Sequence, residues 1–296
     1  MIDTHQLGPG SSLILPARTA PTSGGLSVIV GGGRGCTLSI EWPVAGLWVP
    51  LRGRLQISGA GGDSALLAGE MRITEPEPRL HVVGRGNAVW IALIGSRPAW
   101  RSALSGLGEL PLSEPILLPT WHTADRPLRC RIIELARAAM RGMAEPMLQS
   151  VIESVFAVQN ELASAIDRCP GRTYAQRRQV FLRLQRVRNY LTANCHLELD
   201  NEALARMASY SPWHFIRAFR AAYQQTPHAF LVDQRLQRAR RLLRTSPLAI
   251  AEIALASGFE NRCAFSRLFR QRFGITAGAM RRMTCISPMS PLRRLA

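Results

Sequence analysis

Two short segments of the sequence carry phenylalanine and arginine at the same offsets. The first contains Phe215, Arg217, Phe219 and Arg220, and the second contains Phe265, Arg267, Phe269 and Arg270. Phenylalanines four residues apart fall on one side of a helix, where they can anchor it in a core. The arginines then fall on the other sides, and each guanidinium offers a planar fork of donors that suits an anion. The repeat predicts two helices that bury phenylalanine and present arginine.

Each repeated segment has the layout of a helix-turn-helix unit, with an Ala-rich helix, a tight turn and a second helix. The units are NEALARMASYSPWHFIRAFRAAY (Asn201 to Tyr223) and AIAEIALASGFENRCAFSRLFRQRFG (Ala249 to Gly274). We expect capping at Asp200, Ser211 and Asn261, a helix end at Gly258, and a joining helix from about Pro227 to Thr245. On the joining helix, Arg235 is expected to pair with Asp233 or Glu252. Two copies in register are more specific than one.

The charge of the chain points to the same region. The 296 residues contain 37 Lys and Arg against 20 Asp and Glu. Through Pro170 there are 15 Arg and 14 acidic residues, whereas from Gly171 onward there are 22 Arg and 6 acidic residues. Every basic residue is Arg, which a GC-rich coding bias explains, but that bias would affect both parts alike. The local excess therefore predicts a polyanionic partner, with nucleic acid favoured over a membrane.

Other features exclude several classes of protein. No secretory signal is recognised, and the longest apolar runs, such as Ala88 to Gly95, are too short to span a membrane. The six cysteines contain no CxxC pair, which favours free thiols in a reducing cytoplasm. No nucleophile–base pair or metal-ligand spacing is evident, so we expect no catalytic residue, metal site or cofactor. The sequence thus predicts a cytoplasmic protein that is not an enzyme.

The N-terminal part reads as a strand-rich domain. Residues 1–25 are expected to form a flexible arm, and residues 26–170 a domain with eight short strands followed by helices. The rhythm of GLWVPLRGRLQIS and LLAGEMRI is similar to a cupin-like sensor barrel. Metal-binding cupins carry an HxH pair, whereas His81 stands alone here. A pocket for a small effector is expected. Its candidate liners, although such residues more often belong to a core or a rim, are Trp42, Trp48, Trp90 and Arg52.

Two apolar stripes predict helices at Leu128 to Met143 and Pro146 to Asp167. They could pack on the barrel of the same chain, or form the seam of a homodimer. The segment Cys169 to Arg172 is the expected hinge before a further helix and the C-terminal domain, residues 171–283. Residues 284–296 are expected to be a flexible tail.

The segment from about Val187 to Arg282 resembles the DNA-binding domain of the AraC/XylS family of bacterial transcription regulators. The similarity rests on LARMA, SPWHFIRAFR, YQQTPHAFL, QRLQRARRLL, AEIALASGF and AFSRLFRQRFGIT, in that order. It implies an α+β two-domain protein, with a cupin-like sensor and dimerisation domain before an all-α domain of two helix-turn-helix units. The sequence departs from the family at the Ser209–Tyr210 turn and at Gln225, where Gly is common, and at Ala277, where Pro is frequent.

The resemblance implies that the second helix of each unit enters the major groove of double-stranded DNA. Arg217, Arg262 and Arg267 are the candidates for base contacts, and Ile216 for a thymine methyl. Trp213, Arg220 and Arg270 are expected at sugar and phosphate. The remaining DNA-binding candidates are Asn261 and Ser266.

Three functions compete for the whole chain. It is expected to be a regulator, for instance an activator, whose barrel binds a small effector. Alternatively it is controlled without a ligand, through a protein partner, through a thiol such as Cys36 or Cys130, or by its own abundance. An enzyme fused to a DNA-binding domain is the third. A homodimer and a contact with RNA polymerase are further expectations, whereas the effector, the target site and the choice between activation and repression are not encoded in the residues.

Overall fold

The computed structural model describes residues 3–17, 25–59, 62–105, 107 and 117–286. The chain divides into two compact units, Met1–Gln185 and Arg186–Ala296. Their boundary falls inside a helix, Tyr174–Asn194, and the hinge expected at Cys169 to Arg172 stays a prediction. Over the described residues, no helix is both long enough and apolar enough to cross a membrane.

The N-terminal unit is a sheet with helices after it. Its strands are β1 (Asp3–Leu7), β2 (Ser12–Leu15), β3 (Ser27–Gly33), β4 (Thr37–Ile40), β5 (Val44–Gly59), β6 (Gly62–Leu67), β7 (Glu70–Glu77), β8 (Leu80–Gly95) and β9 (Thr120–Thr123). Its helices are α1 (Arg97–Ser105), α2 (Arg126–Ala139) and α3 (Glu145–Asp167), and α4 (Tyr174–Asn194) follows them.

The strands form one nine-stranded sheet that is not closed among the described residues. The hydrogen-bonded order is β1-β3-β8-β5-β7-β9, with β2 on β4, β4 on β8, and β6 on β5. No described ladder joins β1 to β9, as a closed barrel would require. The strand-rich unit is therefore confirmed, whereas the cupin-like identity stays a prediction.

Two expectations about the strands are wrong. The described part of the expected arm, residues 3–17, contains β1 and β2, which pair in parallel with β3 and β4 and so satisfy their backbone groups. Four of the expected short strands merge into the 16-residue strands β5 and β8. The long strands continue through irregular register near Arg52, where Gly53 takes a φ of +74°. A bulge bends a strand without ending it, so short apolar runs need not mark separate strands.

The apolar stripes of α2 and α3 pack within their own unit. Ile132, Leu135, Val151 and Val155 share a core with sheet residues such as Leu47. This favours intrachain packing for these side chains. Helix α2 ends at Ala139, before the end expected at Met143, and Met143 is 58% exposed.

The candidate liners Trp42, Trp48 and Trp90 are core residues, only 5%, 0% and 0% exposed, and Arg52 is exposed. The Trp48 indole donates to Thr74 Oγ1 at 3.1 Å, which fixes it within the sheet.

The C-terminal unit consists of helices and the short segments that connect them, over its described residues. After α4 come α5 (Asn201–Met207), α6 (Pro212–Tyr223), α7 (Pro227–Thr245), α8 (Ile250–Ala256), α9 (Arg262–Phe273) and α10 (Ala277–Ile286). The expected joining helix and both helix-turn-helix units are present. The expected tail begins inside α10, and from residue 287 on it lies outside the described residues.

The turns of the two helix-turn-helix units have the same backbone geometry although their residues differ. Tyr210 N donates to Ala205 O at 2.9 Å, and Phe259 N donates to Ala254 O at 3.0 Å. Between the helices, Ser209 has a φ of 57° where the second unit has Gly258 at 90°. The serine therefore keeps the turn and carries the steric cost of a left-handed residue.

Replacing Ser209 by glycine should stabilise this unit. Glycine adopts positive φ without the Cβ penalty of about 1–2 kcal/mol, and its greater freedom in the unfolded chain offsets part of the gain. We expect the free energy of unfolding to rise by about 0.5–1 kcal/mol in urea titrations. Ser209→Ala, which keeps the Cβ, should show no comparable gain; equal stabilisation by both would contradict the backbone explanation.

Candidate nucleic-acid interface

The exposed face of α6 is set by the phenylalanines on its opposite face. Phe215 and Phe219 are fully buried, with ring centroids 5.7 Å apart, and Phe219 also lies 6.1 Å from Phe230 of α7. Their burial stabilises the unit by roughly 1.5–3 kcal/mol per ring. It also fixes the rotation of the helix. The four predicted DNA-binding residues on α6 consequently face outward: Trp213, Ile216, Arg217 and Arg220.

The second unit repeats this arrangement on α9. Phe265 and Phe269 are fully buried, with centroids 5.4 Å apart, and belong to a core with Leu236 and Leu243 of α7. The predicted residues of this unit are all exposed: Asn261, Arg262, Ser266, Arg267 and Arg270. All nine sequence-predicted residues thus occupy exposed positions on, or at the start of, two equivalent helices.

The helices begin where the sequence predicts, but their caps differ. Asn261 Oδ1 accepts from the backbone N–H groups of Cys263 and Ala264 at 2.8 and 3.2 Å, which confirms it as a capping residue. Asp200 likewise accepts from Ala203 N at 3.2 Å. Ser211 has the extended backbone of an N-cap, yet its side chain makes no capping bond. Its hydroxyl lies instead 2.7 Å from His214 Nδ1.

The arginines of the C-terminal unit fall into two groups. Those of the first group form hydrogen bonds with other residues of the same unit. The prediction that Arg235 pairs with Asp233 or Glu252 is wrong. Arg235 donates instead to the carbonyls of Cys195 and Leu197, at 2.8 and 3.0 Å, which follow the end of α4 and lie beyond the hydrogen bonds of that helix.

Asp233 and Glu252 have other partners. Asp233 Oδ1 accepts from Arg272 Nε at 2.6 Å, and Glu252 accepts from Ala249 N at 2.6 Å. Both acids are therefore used in fixing helices of the second unit.

The other group of arginines is available to a partner. Arg220, Arg262, Arg267 and Arg270 are exposed, and within the described chain their side chains form no hydrogen bond or ion pair. Arg217 stacks on a neighbouring ring, with its Cζ 5.3 Å from the Trp213 centroid. These exposed guanidiniums can donate to anionic oxygens of a partner.

Repulsion among cations is visible at the joining helix. Burial lowers the pKa of Arg240, as do the nearby charges of Arg244 and Arg272, while Asp233 opposes the shift. Arg240 and Arg272 also lie 5.3 and 5.7 Å from the Phe273 centroid. The cations named here outnumber Asp233, the carboxylate that acts on Arg240, and polyanions are attracted to such a surface.

A concavity of about 580 Å³ lies on the first helix-turn-helix unit. Four of the sequence-predicted residues line it, together with Ala221, Gln224 and Thr226, which the sequence reading missed. Gln224 takes a left-handed φ of 57° at the end of α6, where the second unit has Gly274 at 74°. The replacement of glycine that the sequence places at Gln225 therefore lies at Gln224. Alignment of the two units, which pairs Gln224 with Gly274, could have located this position from the sequence.

The C-terminal unit matches a family model described as a helix-turn-helix domain over residues 204–283. The chain is 45% identical over 87 residues to the transcriptional regulator GlxA of Rhizobium meliloti. The alignment covers 28% of this chain and 26% of GlxA. It is 35% identical over 78 residues to the regulatory protein SoxS of Escherichia coli, which covers 26% of this chain and 73% of SoxS.

The chain spans only about a quarter to a third of the length of GlxA and the next two curated relatives. Among solved structures it is similar to the DNA-binding domain of AdpA in complex with a target DNA. That likeness has 33% identity over 34% of this chain and 91% of that one, with a TM-score of 0.33.

Removing the cap of α9 should destabilise the second unit. Asn261→Ala leaves the N–H groups of Cys263 and Ala264 without their side-chain acceptor, at a cost of about 0.5–2 kcal/mol. We expect this loss in chemical unfolding monitored by circular dichroism. Asn261→Ser, which retains a capping oxygen, should recover most of it. If serine and alanine were equally destabilising, the cap would not be the cause.

Proposed function

Because the chain belongs to the AraC/XylS family of transcription regulators, we propose that it binds double-stranded DNA through α6 and α9 and regulates transcription. The observation that carries the proposal is the pair of equivalent exposed faces. Each is held by two buried phenylalanines, and each presents arginine that has no acidic partner among the described residues. The family membership favours regulation over catalysis.

The joining helix makes simultaneous binding by both units reasonable. α7 has 19 residues, which at 1.5 Å per residue correspond to roughly 28 Å. Successive major-groove segments on one face of a duplex lie about 34 Å apart. A rigid helix of that length suits two reading helices on neighbouring turns of one duplex.

The exposed residues divide by the chemistry that each can perform. Arg217, Arg262 and Arg267 can donate two parallel hydrogen bonds to guanine, a contact worth about 1–3 kcal/mol in discrimination. Ile216, 36% exposed, offers an apolar surface to a thymine methyl. Arg220 and Arg270 lie nearer the C-terminal ends of their helices and suit phosphate oxygens, which position the protein without specifying sequence. Trp213 can pack on sugar.

We propose further that the N-terminal unit binds a small effector, and the residues around Arg72 favour an anion. Arg72 lies inside the sheet, with Ser64 Oγ as hydrogen-bond acceptor and Glu77 at 4.0 Å. Burial lowers the pKa of Arg72, and Glu77 opposes that shift only in part.

A second donor lies beside this arginine. The Trp121 ring is 6.0 Å from Arg72 Cζ, and its buried Nε1 has no hydrogen-bond partner among the described residues. A carboxylate would compensate the charge and accept from both donors.

Control by a thiol is the alternative. Cys130 is exposed and open to oxidants, whereas Cys36 is fully buried with the Trp90 indole donating to its Sγ at 3.2 Å. A contact with RNA polymerase and action in the cytoplasm follow from the proposed role, since a promoter-bound regulator works beside the polymerase. A homodimer is a separate proposal that does not depend on the stripes of α2 and α3, which pack within their own unit.

Arg267→Ala should distinguish sequence reading from general attraction. We expect affinity for a duplex selected by the wild-type chain from a random pool to fall roughly 10- to 100-fold. Affinity for unselected duplex should fall far less. Fluorescence anisotropy with both duplexes measures this, and equal losses on the two would contradict a base contact.

Arg270→Ala is the matched variant from the same helix. Loss of a phosphate contact should weaken both duplexes alike and reduce the slope of log affinity against log salt by about 1. If the wild-type slope were flat, phosphate-led binding would be excluded.

A thermal-shift series on the full chain tests the effector. Small organic carboxylates should raise the unfolding temperature of the N-terminal unit, increasingly with concentration above their dissociation constants. Their methyl esters, which lack the charge, should have no effect. A response to esters alone would argue against an anion site.

A further inference from the structure

The exposed N-terminal end of α6 carries four side chains that contact one another in sequence, here called the indole array: Ser211, Trp213, His214 and Arg217. Ser211 Oγ lies 2.7 Å from His214 Nδ1. The His214 ring meets Trp213 edge-on, with centroids 5.0 Å apart and planes at 87°. The Arg217 guanidinium lies over the Trp213 ring, 5.3 Å from its centroid. All four residues are exposed.

The array forms at the expense of a helix cap. Ser211 occupies the N-cap position of α6, where a serine hydroxyl normally accepts from a backbone N–H and stabilises the helix. Here the hydroxyl contacts His214 instead. The first turn of α6 therefore gives up a local stabilising bond while a side chain on its surface is held. Such a use of a capping residue favours a role for the held side chains.

Helix α9, the equivalent of α6 in the second helix-turn-helix unit, has no such array. Arg267 stands fifty residues after Arg217, and the position matching Trp213 is Cys263, which has no ring. In the described part of α9, Arg267 contacts no aromatic ring, because the rings on this helix face the core. The two helix-turn-helix units thus present equivalent arginines. Arg217 contacts an aromatic ring, whereas Arg267 contacts none among the described residues.

Stacking restrains a guanidinium without using its donors. The Arg217 guanidinium lies over the indole, and within the described residues its N–H groups form no hydrogen bond, so they remain available to a partner. An unsupported arginine must give up rotamer freedom when it binds, and an arginine already restrained loses less. Trp213 is 63% exposed, so the stack is not a consequence of core packing.

We propose that Trp213 is a positioning residue that holds Arg217 ready for one base edge, so that α6 discriminates bases more sharply than α9 does. The inference rests on the proposed DNA binding and adds to it a division of labour between the units. Trp213 and Arg217 both line the concavity on α6. His214 and Ser211 keep the indole from rotating away.

The first measurement needs no DNA. In the full chain with isotope-labelled arginine, the side-chain Nε–H signal of Arg217 is identified by its loss in Arg217→Ala. The indole ring current should displace this signal from the position typical of exposed arginine. Trp213→Leu, which keeps apolar bulk, should abolish the displacement, and Trp213→Phe should retain part of it. An unchanged signal in Trp213→Leu would overturn the stack.

The second measurement is a double-mutant cycle on a duplex selected from a random pool by the wild-type chain. The loss of affinity caused by Arg217→Ala should be about 2- to 5-fold smaller in the Trp213→Leu chain than in the wild type. Trp213→Phe should restore most of that difference. Arg267→Ala is the matched control, and its effect should be the same in both backgrounds. Strict additivity of Trp213→Leu and Arg217→Ala would overturn the positioning role.

The possible failures are distinguishable. If the wild-type chain selected no duplex, the proposed function would fall and this inference with it. If it selected a duplex with a clear base preference but the cycle were additive, only the inference would fall. Preserved helical circular dichroism in every variant excludes unfolding as the source of a loss.

Discussion

The burial of two phenylalanines per reading helix is the interaction on which the rest of the C-terminal unit depends. Phe215 and Phe219 in α6, and Phe265 and Phe269 in α9, have no solvent-accessible surface. Residues at i and i+4 lie on the same face of a helix, so burying such a pair fixes which side chains face away. The exposed arginines are thus oriented by apolar packing behind them, and a weaker anchor would leave their direction undefined.

Much of this unit could be predicted from the sequence because its signals are local. The joining helix runs over Pro227–Thr245 as expected, since proline and a capping threonine define its start. The side-chain contacts were less accessible. Ser211 has the right residue type and backbone for a cap, yet its hydroxyl bonds to His214, a choice between neighbours that spacing cannot decide. Arg235 binds carbonyls about 40 residues away in the sequence, and only the folded chain brings them together.

The N-terminal unit was harder to predict, because a sheet is assembled from distant segments. Apolar runs located the strands, but the continuation of β5 and β8 through their bulges depends on pairing between those strands. Strands β1 and β2 lie in a region rich in Gly, Pro and Ser, and they exist because β3 and β4 offer parallel partners. Arg72 and Trp121 carried no distinguishing motif, since they become neighbours only through the register of β7 with β9.

The helix α7 belongs to both halves of the C-terminal unit, and this has a consequence for folding. Phe230 near its start contacts Phe219 of the first half, while Leu236, Ala239 and Leu243 lie in the core of the second. Neither half can lose its packing without uncovering apolar surface on a helix that the other half needs. The two halves should therefore unfold as one cooperative transition, and a lesion in either core should speed hydrogen exchange in both.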